Sequence, residues 1–177
     1  MSFNELAIPG VFLINNFNAT DNRGVFVKTF NKNLFEQIGF NGNFTESYYS
    51  TSEKNVIRGM HFQLPPHEHE KLVYVTDGVI VDVVLDLRIK SPTYGKSISV
   101  ELEAFGKSIF IPKGCAHGFL AKSDNATVVY NVTTVYNKEA DMGILWNSFN
   151  FEWGILNPIL SVRDNSFEAF TNFKSPF

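Results

Sequence analysis

V-I-R-G-M-H-F-Q-L-P-P-H-E-H-E-K-L-V-Y-V-T-D-G, from Val56 to Gly78, packs three of the four histidines of the chain, an arginine and a lysine between two apolar runs. Val56 to Gln63 and Lys71 to Val75 have strand character. Leu64 to Glu70 carries two prolines and no strand period, so it must be a loop. Ring nitrogens and cations therefore meet near the ends of paired strands, where a β-barrel keeps its mouth.

Working outward, Val11 to Asn16 and Val25 to Phe30 flank A-T-D-N-R-G, whose Asp, Asn and Gly are turn chemistry, and a hairpin is the simplest expectation. N-K-N-L-F-E-Q-I-G, closing at Gly39, has a capping Asn and a terminal Gly, the marks of a helix of about two turns. From Phe44 onward, F-T-E-S-Y-Y-S, V-I-R-G-M-H-F, K-L-V-Y-V, V-I-V-D-V-V-L-D-L, S-I-S-V-E-L, S-I-F-I-P, H-G-F-L-A and T-V-V-Y-N-V-T follow at even spacing, broken by turn residues. Such spacing predicts a closed or sandwiched antiparallel β fold. After Tyr136 the periodicity fades into an aromatic tail, expected to pack across the barrel or a partner subunit.

At 177 residues the chain fits one domain, residues 1–177, that buries roughly 70% of the surface exposed on unfolding without any covalent staple. Its 44% hydrophobic content, with 18 Phe, is that of a globular protein. A net charge of −3 gives no basic face for nucleic acid, although a local anion pocket fits within that total. The single cysteine, Cys115, excludes an internal disulfide and suits a reducing cytoplasm. The first residues lack a signal-peptide pattern and no long apolar run occurs, so a cytoplasmic protein without membrane contact is expected.

A second chemical stretch runs from Gly106 to Ala121. Gly106, Pro112, Gly114 and His117 stand at the offsets of the second signature of the cupin superfamily, which fails only at its closing Asn, replaced by Ala121. Metal-binding cupins carry a Glu seven residues before the Gly of their first signature. Counting back from Gly78 gives Lys71, an ammonium where a metal ligand would stand. The chain resembles the dTDP-4-dehydrorhamnose 3,5-epimerases and related keto-sugar epimerases through R-G-M-H-F-Q (Arg58–Gln63), P-P-H (Pro65–His67), K-L-V (Lys71–Val73), D-L-R and S-P-T-Y-G (Asp86–Gly95), I-P-K-G-C-A-H-G-F (Ile111–Phe119), Tyr130, Tyr136 and S-V-R-D (Ser161–Asp164).

The resemblance implies an all-β, cupin-type double-stranded β-helix, a jelly-roll barrel with few short helices. It also implies an isomerase that inverts C3, C5 or both in a nucleotide-linked 4-keto-6-deoxyhexose, without metal or cofactor. In the family's pattern His61 is the base, oriented by Asp164, Lys71 stabilises the oxyanion at C4, and Tyr136 is the acid on the opposite face. Tyr130 and His117 lie beside the sugar. Arg23, Phe26 and Arg58 match positions that hold the nucleotide diphosphate, Arg163 is a further cation, and Gln63 belongs to the same substrate-binding set. The partner implied is a nucleotide-diphosphate sugar, a dTDP-sugar first, and the assembly a homodimer.

Departures fall in the recognition residues. Glu46 and Tyr48 replace amide-bearing residues, Lys28 and Asp141 stand where Glu is usual, and His69 stands where Gln is common. Taken bare, His67 and His69 belong to a solvated Pro-rich loop. Two other readings compete with the epimerase. One is a metal-dependent cupin oxygenase or isomerase using His67, His69 and His117, with or without His61. The other is a non-catalytic sugar-nucleotide binding barrel.

Overall fold

Alternating side chains along short strands build two antiparallel sheets that face one another. The computed structural model covers residues Met1–Phe177. Its strands are β1 (Ser2–Glu5), β2 (Phe12–Asn15), β3 (Phe17–Asp21), β4 (Gly24–Lys28), β5 (Glu46–Ser52), β6 (Ile57–Gln63), β7 (Lys71–Asp77), β8 (Val79–Asp86), β9 (Ser97–Glu103), β10 (Lys107–Ile111), β11 (Cys115–Ala121), β12 (Ala126–Val132) and β13 (Asp141–Gly143). One sheet has the order β1-β2-β10-β7-β12-β5, the other β13-β6-β11-β8-β9, and β3 pairs with β4 alone. The result is the sandwiched antiparallel β fold that the strand spacing predicts, in the jelly-roll form that the resemblance implies.

Between the sheets lies a core that includes Val73, Val75, Ile80, Val84, Ile109, Phe119 and Val128. The outer face of the second sheet is covered by the aromatic tail. Trp146, Trp153, Phe170, Phe173 and Phe177 pack with Ile57, Met60, Phe62 and Leu120. The tail therefore does what its unpatterned apolar content demands, since the sheet's outer side chains would otherwise face water. On the other sheet, Phe35 and Phe40 join Leu72, Phe110 and Ile14. Their carrier is α1 (Lys32–Phe35), capped by the Asn31 side chain accepting from the Leu34 N–H at 3.2 Å and continued by a 3-10 turn that ends at Gly39 with φ +85°.

Two expectations are corrected. The hairpin partner of Gly24–Lys28 is Phe17–Asp21, not Val11–Asn16. Phe12–Asn15 instead enters the barrel between β1 and β10, where Ile14 is fully buried. The turn is tighter than the sequence suggested because the Asp21 carboxylate accepts from the Arg23 N–H at 2.8 Å. Strands β1 and β13 escaped the sequence pattern, being four and three residues long.

Candidate active site

Period-two alternation places a polar group inside the barrel on each of four strands. Lys71, Asp82, His117 and Tyr130 are all buried, on β7, β8, β11 and β12. A buried polar side chain costs several kcal/mol unless partnered, so their grouping calls for an account. His117 Nε2 lies 2.7 Å from Asp82 Oδ2. Burial, first of all, pushes the His117 pKa down, with the Asp82 carboxylate opposing it. Its Cα is paired with that of His61 on β6.

The pairing of β6 with β11 depends on two glycines. A Cβ on Gly59 would stand 2.5 Å from the Gly118 Cα, and Gly59 has φ +140°. The pair thus lets the strands approach where His61 turns inward. His61 Nε2 is 2.9 Å from Asp164 Oδ1, and Asp164 Oδ2 accepts from the Gly59 N–H at 3.1 Å. Burial alone would raise the Asp164 pKa, but the hydrogen bond and charge of His61 and the Gly59 N–H hold it below the ordinary carboxylate value. An anionic acceptor on Nε2 keeps the proton there and leaves Nδ1 as the basic nitrogen.

These groups open onto a cavity of about 220 Å³ lined by Glu46, Tyr48, His61, Phe62, Gln63, His69, Lys71, Val132, Tyr136 and Asp141. Lys71 donates to the His61 carbonyl at 3.1 Å. Burial pushes its pKa down to about 8, while the carboxylates of Asp82 and Asp141 resist the loss of its charge. An ammonium and an imidazole that share one small cavity can act on adjacent atoms of one ring: the imidazole takes a proton from carbon while the ammonium holds the oxygen that becomes negative.

Of the sequence-derived site residues, His61, Lys71, Tyr136, Glu46, Tyr48, Gln63 and Asp141 line this cavity. Asp164 joins through His61. Tyr130 and His117 lie deeper, their rings 5.9 Å apart, and Tyr48 stacks on Tyr130 at 4.9 Å. Burial, helped by Glu46 and Asp141, pushes the Tyr48 pKa up to about 12. Arg163 is bonded to Asp141 at 2.6 Å at the rim. Arg58 donates to Ser52 Oγ and to the Thr51 carbonyl, both at 2.9 Å, outside the cavity wall. Arg23 and Phe26 stand apart on the β3–β4 hairpin, with Arg23 paired to Asp21 at 2.6 Å.

Sequence reasoning missed two participants and left the place of a third open. Asp82 was signalled by the one charged residue at an inward position of V-I-V-D-V-V-L. Phe167, edge-on to the His61 ring at 5.7 Å, carried no signal. His69, taken for a solvated loop residue, lines the cavity, and burial followed by the Lys71 charge pushes its pKa down to about 3. The histidines do not converge with carboxylates or Cys115 as a metal-ligand set. Burial instead raises the Cys115 pKa to about 12, unsuited to a nucleophile.

A model of the family described as dTDP-4-dehydrorhamnose 3,5-epimerase matches residues 5–172. The chain belongs to that family. A dTDP-4-dehydrorhamnose 3,5-epimerase of Shigella flexneri is 39% identical over 176 residues, covering 97% of each chain. A Legionella pneumophila epimerase solved in complex with dTDP-4-keto-L-rhamnose superposes with a TM-score of 0.92 at 30% identity, over 98% of this chain and 94% of that one. The Bacillus anthracis epimerase with TDP and PPi bound gives 0.90 at 34% identity, over 94% and 97%. Family membership makes the fold a cupin-type barrel and the chain an isomerase of keto-sugars.

Proposed function

We propose that this chain inverts C5, C3 or both in a nucleotide-linked 4-keto-6-deoxyhexose, a dTDP-sugar first. The observation that carries the reading is the meeting of the His61–Asp164 pair and the Lys71 ammonium in one cavity. Abstraction of the proton beside the C4 ketone by His61 Nδ1 gives an enolate whose oxygen takes the Lys71 charge. Reprotonation from the other face requires a donor across the barrel. Two phenols compete. Tyr136, the acid implied by the resemblance, is 57% exposed at the rim, whereas Tyr130 is 8% exposed on the sheet facing His61. A donor shielded from bulk water controls which face receives the proton, so Tyr130 takes the acid's role and Tyr136 that of a platform at the mouth. His117, bonded to Asp82, supports the deep end of the sugar site.

A cavity of about 220 Å³ falls below the roughly 300–1,000 Å³ that clefts for whole drug-sized ligands occupy, so it suits the hexose and leaves the nucleotide outside. Arg163 borders the mouth through its bond to Asp141, and Arg58 stands outside the cavity wall. Arg23 and Phe26 reach a nucleotide only from a second copy of the chain. An isolated two-stranded hairpin is marginal in water, and this one exposes Phe17 and Phe26 by 48% and 58%. A homodimer that covers the hairpin and sets it beside the partner's cavity answers both needs. The whole chain, 1–177, forms one such unit, and the lone buried Cys115 fits a cytoplasmic setting.

The test is deuterium incorporation at C3 and C5 of a dTDP-linked 4-keto-6-deoxyhexose in heavy water. Exchange with inversion supports the epimerase, and binding without exchange would reduce the chain to a sugar-nucleotide binder. Tyr130→Phe should retain exchange while losing net inversion. If Tyr136→Phe alone shows that split, the original assignment of the acid stands.

A further inference from the structure

The carboxamide of Gln63 is buried at the edge of the cavity with both N–H donors and one lone pair of its oxygen engaged by the protein. Its Oε1 accepts from the Asn137 N–H at 2.6 Å. Its Nε2 donates to the His67 carbonyl at 2.9 Å and shares its remaining hydrogen between His69 Nδ1 at 3.3 Å and the Val135 carbonyl at 3.4 Å. The short bond to Asn137 fixes which end of the amide is oxygen. With both donors committed to the loops, it has no N–H left for a sugar, and its oxygen is already tied to the Asn137 N–H.

What Gln63 touches lies on two rim loops, Leu64–Glu70 and Thr133–Asn137. The loops are also laced directly. The Glu70 N–H donates to Thr133 Oγ1 at 2.9 Å and Thr134 Oγ1 donates to the Glu68 carbonyl at 3.1 Å. Asn137 Nδ2 meets His67 Nε2 at 3.2 Å. The second loop carries Tyr136 into the cavity wall, and the first leads into Lys71. Because Gln63 Nε2 is a donor, His69 Nδ1 must accept, which leaves the ring proton on Nε2 and disfavours the imidazolium. The charged and titratable groups around His69 are Lys71 on β7, Lys113 before β11 and His117 on β11. All are cationic when protonated, and together with burial they outweigh the Thr134 backbone hydrogen bond, which alone favours a charge on His69.

We propose that Gln63 is a positioning residue rather than a substrate contact: it locks the rim loop that bears Tyr136 and holds His69 neutral, so that Lys71 is the one cation facing the reacting oxygen. The proposal rests on the epimerase reading. Its consequence is that the departure at His69 leaves the cavity's charge unchanged, since a neutral imidazole stands where an amide is common.

Gln63→Glu tests it, because the carboxylate keeps the acceptor for Asn137 but turns oxygen lone pairs on the His67 and Val135 carbonyls and on His69 Nδ1. In the parent, nitrogen-15 spectra should show His69 as the neutral Nε2–H tautomer from pH 5 to 9. In Gln63→Glu the ring should gain a proton on Nδ1 and titrate within that range. Turnover should fall by about one to two orders of magnitude, as misplaced site groups cost, while affinity for thymidine diphosphate stays within about twofold. Adding His69→Gln, whose amide can donate to the new carboxylate, should recover part of kcat. A variant with unchanged kcat and a raised KM would make Gln63 a substrate contact and overturn the proposal, as would a parent His69 protonated on Nδ1 or a double variant no better than the single. Should the parent exchange no proton on any keto-sugar, the functional reading fails on its own. The His69 tautomer then decides the wiring, as it does if Gln63→Glu does not fold.

Discussion

At the residue scale the decisive group is Lys71. Its pKa, ordinarily 10.5, stands at about 8 because burial penalises the charge. Turnover should therefore decline as pH rises through about 8, where the ammonium is lost. Folding responds with the opposite sign. Between about 8 and 10.5 the unfolded chain keeps a proton on Lys71 that the folded chain has released, so the contribution of this residue to stability rises with pH. The urea midpoint of the parent minus that of Lys71→Met, followed from pH 7 to 10, isolates that contribution and should rise with pH, and a value that falls would contradict the assigned shift. Removing the donor should cost about 10²- to 10³-fold in rate. Lys71 was legible in the sequence because its position relative to Gly78 contrasts with a metal-binding acid. Gln63 was legible as part of R-G-M-H-F-Q, but its bonding to two loops was not, since those partners lie up to 74 positions away.

At the element scale, the segment from Ser161 to Phe167 is a clasp over β6. Asp164 holds His61, Arg163 lies 5.1 Å over the Phe167 ring and bonds Asp141 on β13, and Phe167 fills the space that Gly143 leaves by having no Cβ. Gly143→Ala should push Phe167 aside, cost about 1–3 kcal/mol by overpacking, and reduce exchange at carbon by loosening Asp164. Asn31→Ala removes the α1 cap far from the site. It should cost about 1 kcal/mol with kcat of the folded enzyme unchanged. Equal effects of the two on kcat, measured alongside chemical unfolding, would deny the clasp its role. The strands of the barrel were legible because period-two patterns are local. Strand β13 and the clasp were not, because a three-residue strand and a 3-10 turn carry no period, and Asp164 was reached through the family resemblance alone.

At the scale of the whole molecule, two sheets bring the His61 imidazole from one wall and the Lys71 ammonium from the other to the same cavity, while the aromatic tail and the α1 segment seal the outer faces. The β3–β4 hairpin pairs with no other strand and leaves Phe17 and Phe26 exposed, which is the ground for proposing a dimer. Sizing at micromolar concentration should give twice the mass of one chain. Phe26→Asp should weaken the dimer and nucleotide affinity together, and a monomeric parent with full activity would remove the second copy from the site. No helix is long and apolar enough to cross a membrane. The central claim remains the division of labour between His61 and Lys71. Its most direct measurement is deuterium incorporation at C5 of the keto-sugar by parent, His61→Ala and Lys71→Met in heavy water, with thymidine diphosphate affinity as the control. The account predicts rapid exchange in the parent, none in His61→Ala and a severe loss in Lys71→Met, all at similar nucleotide affinity. Exchange at the parent rate in either variant would contradict it.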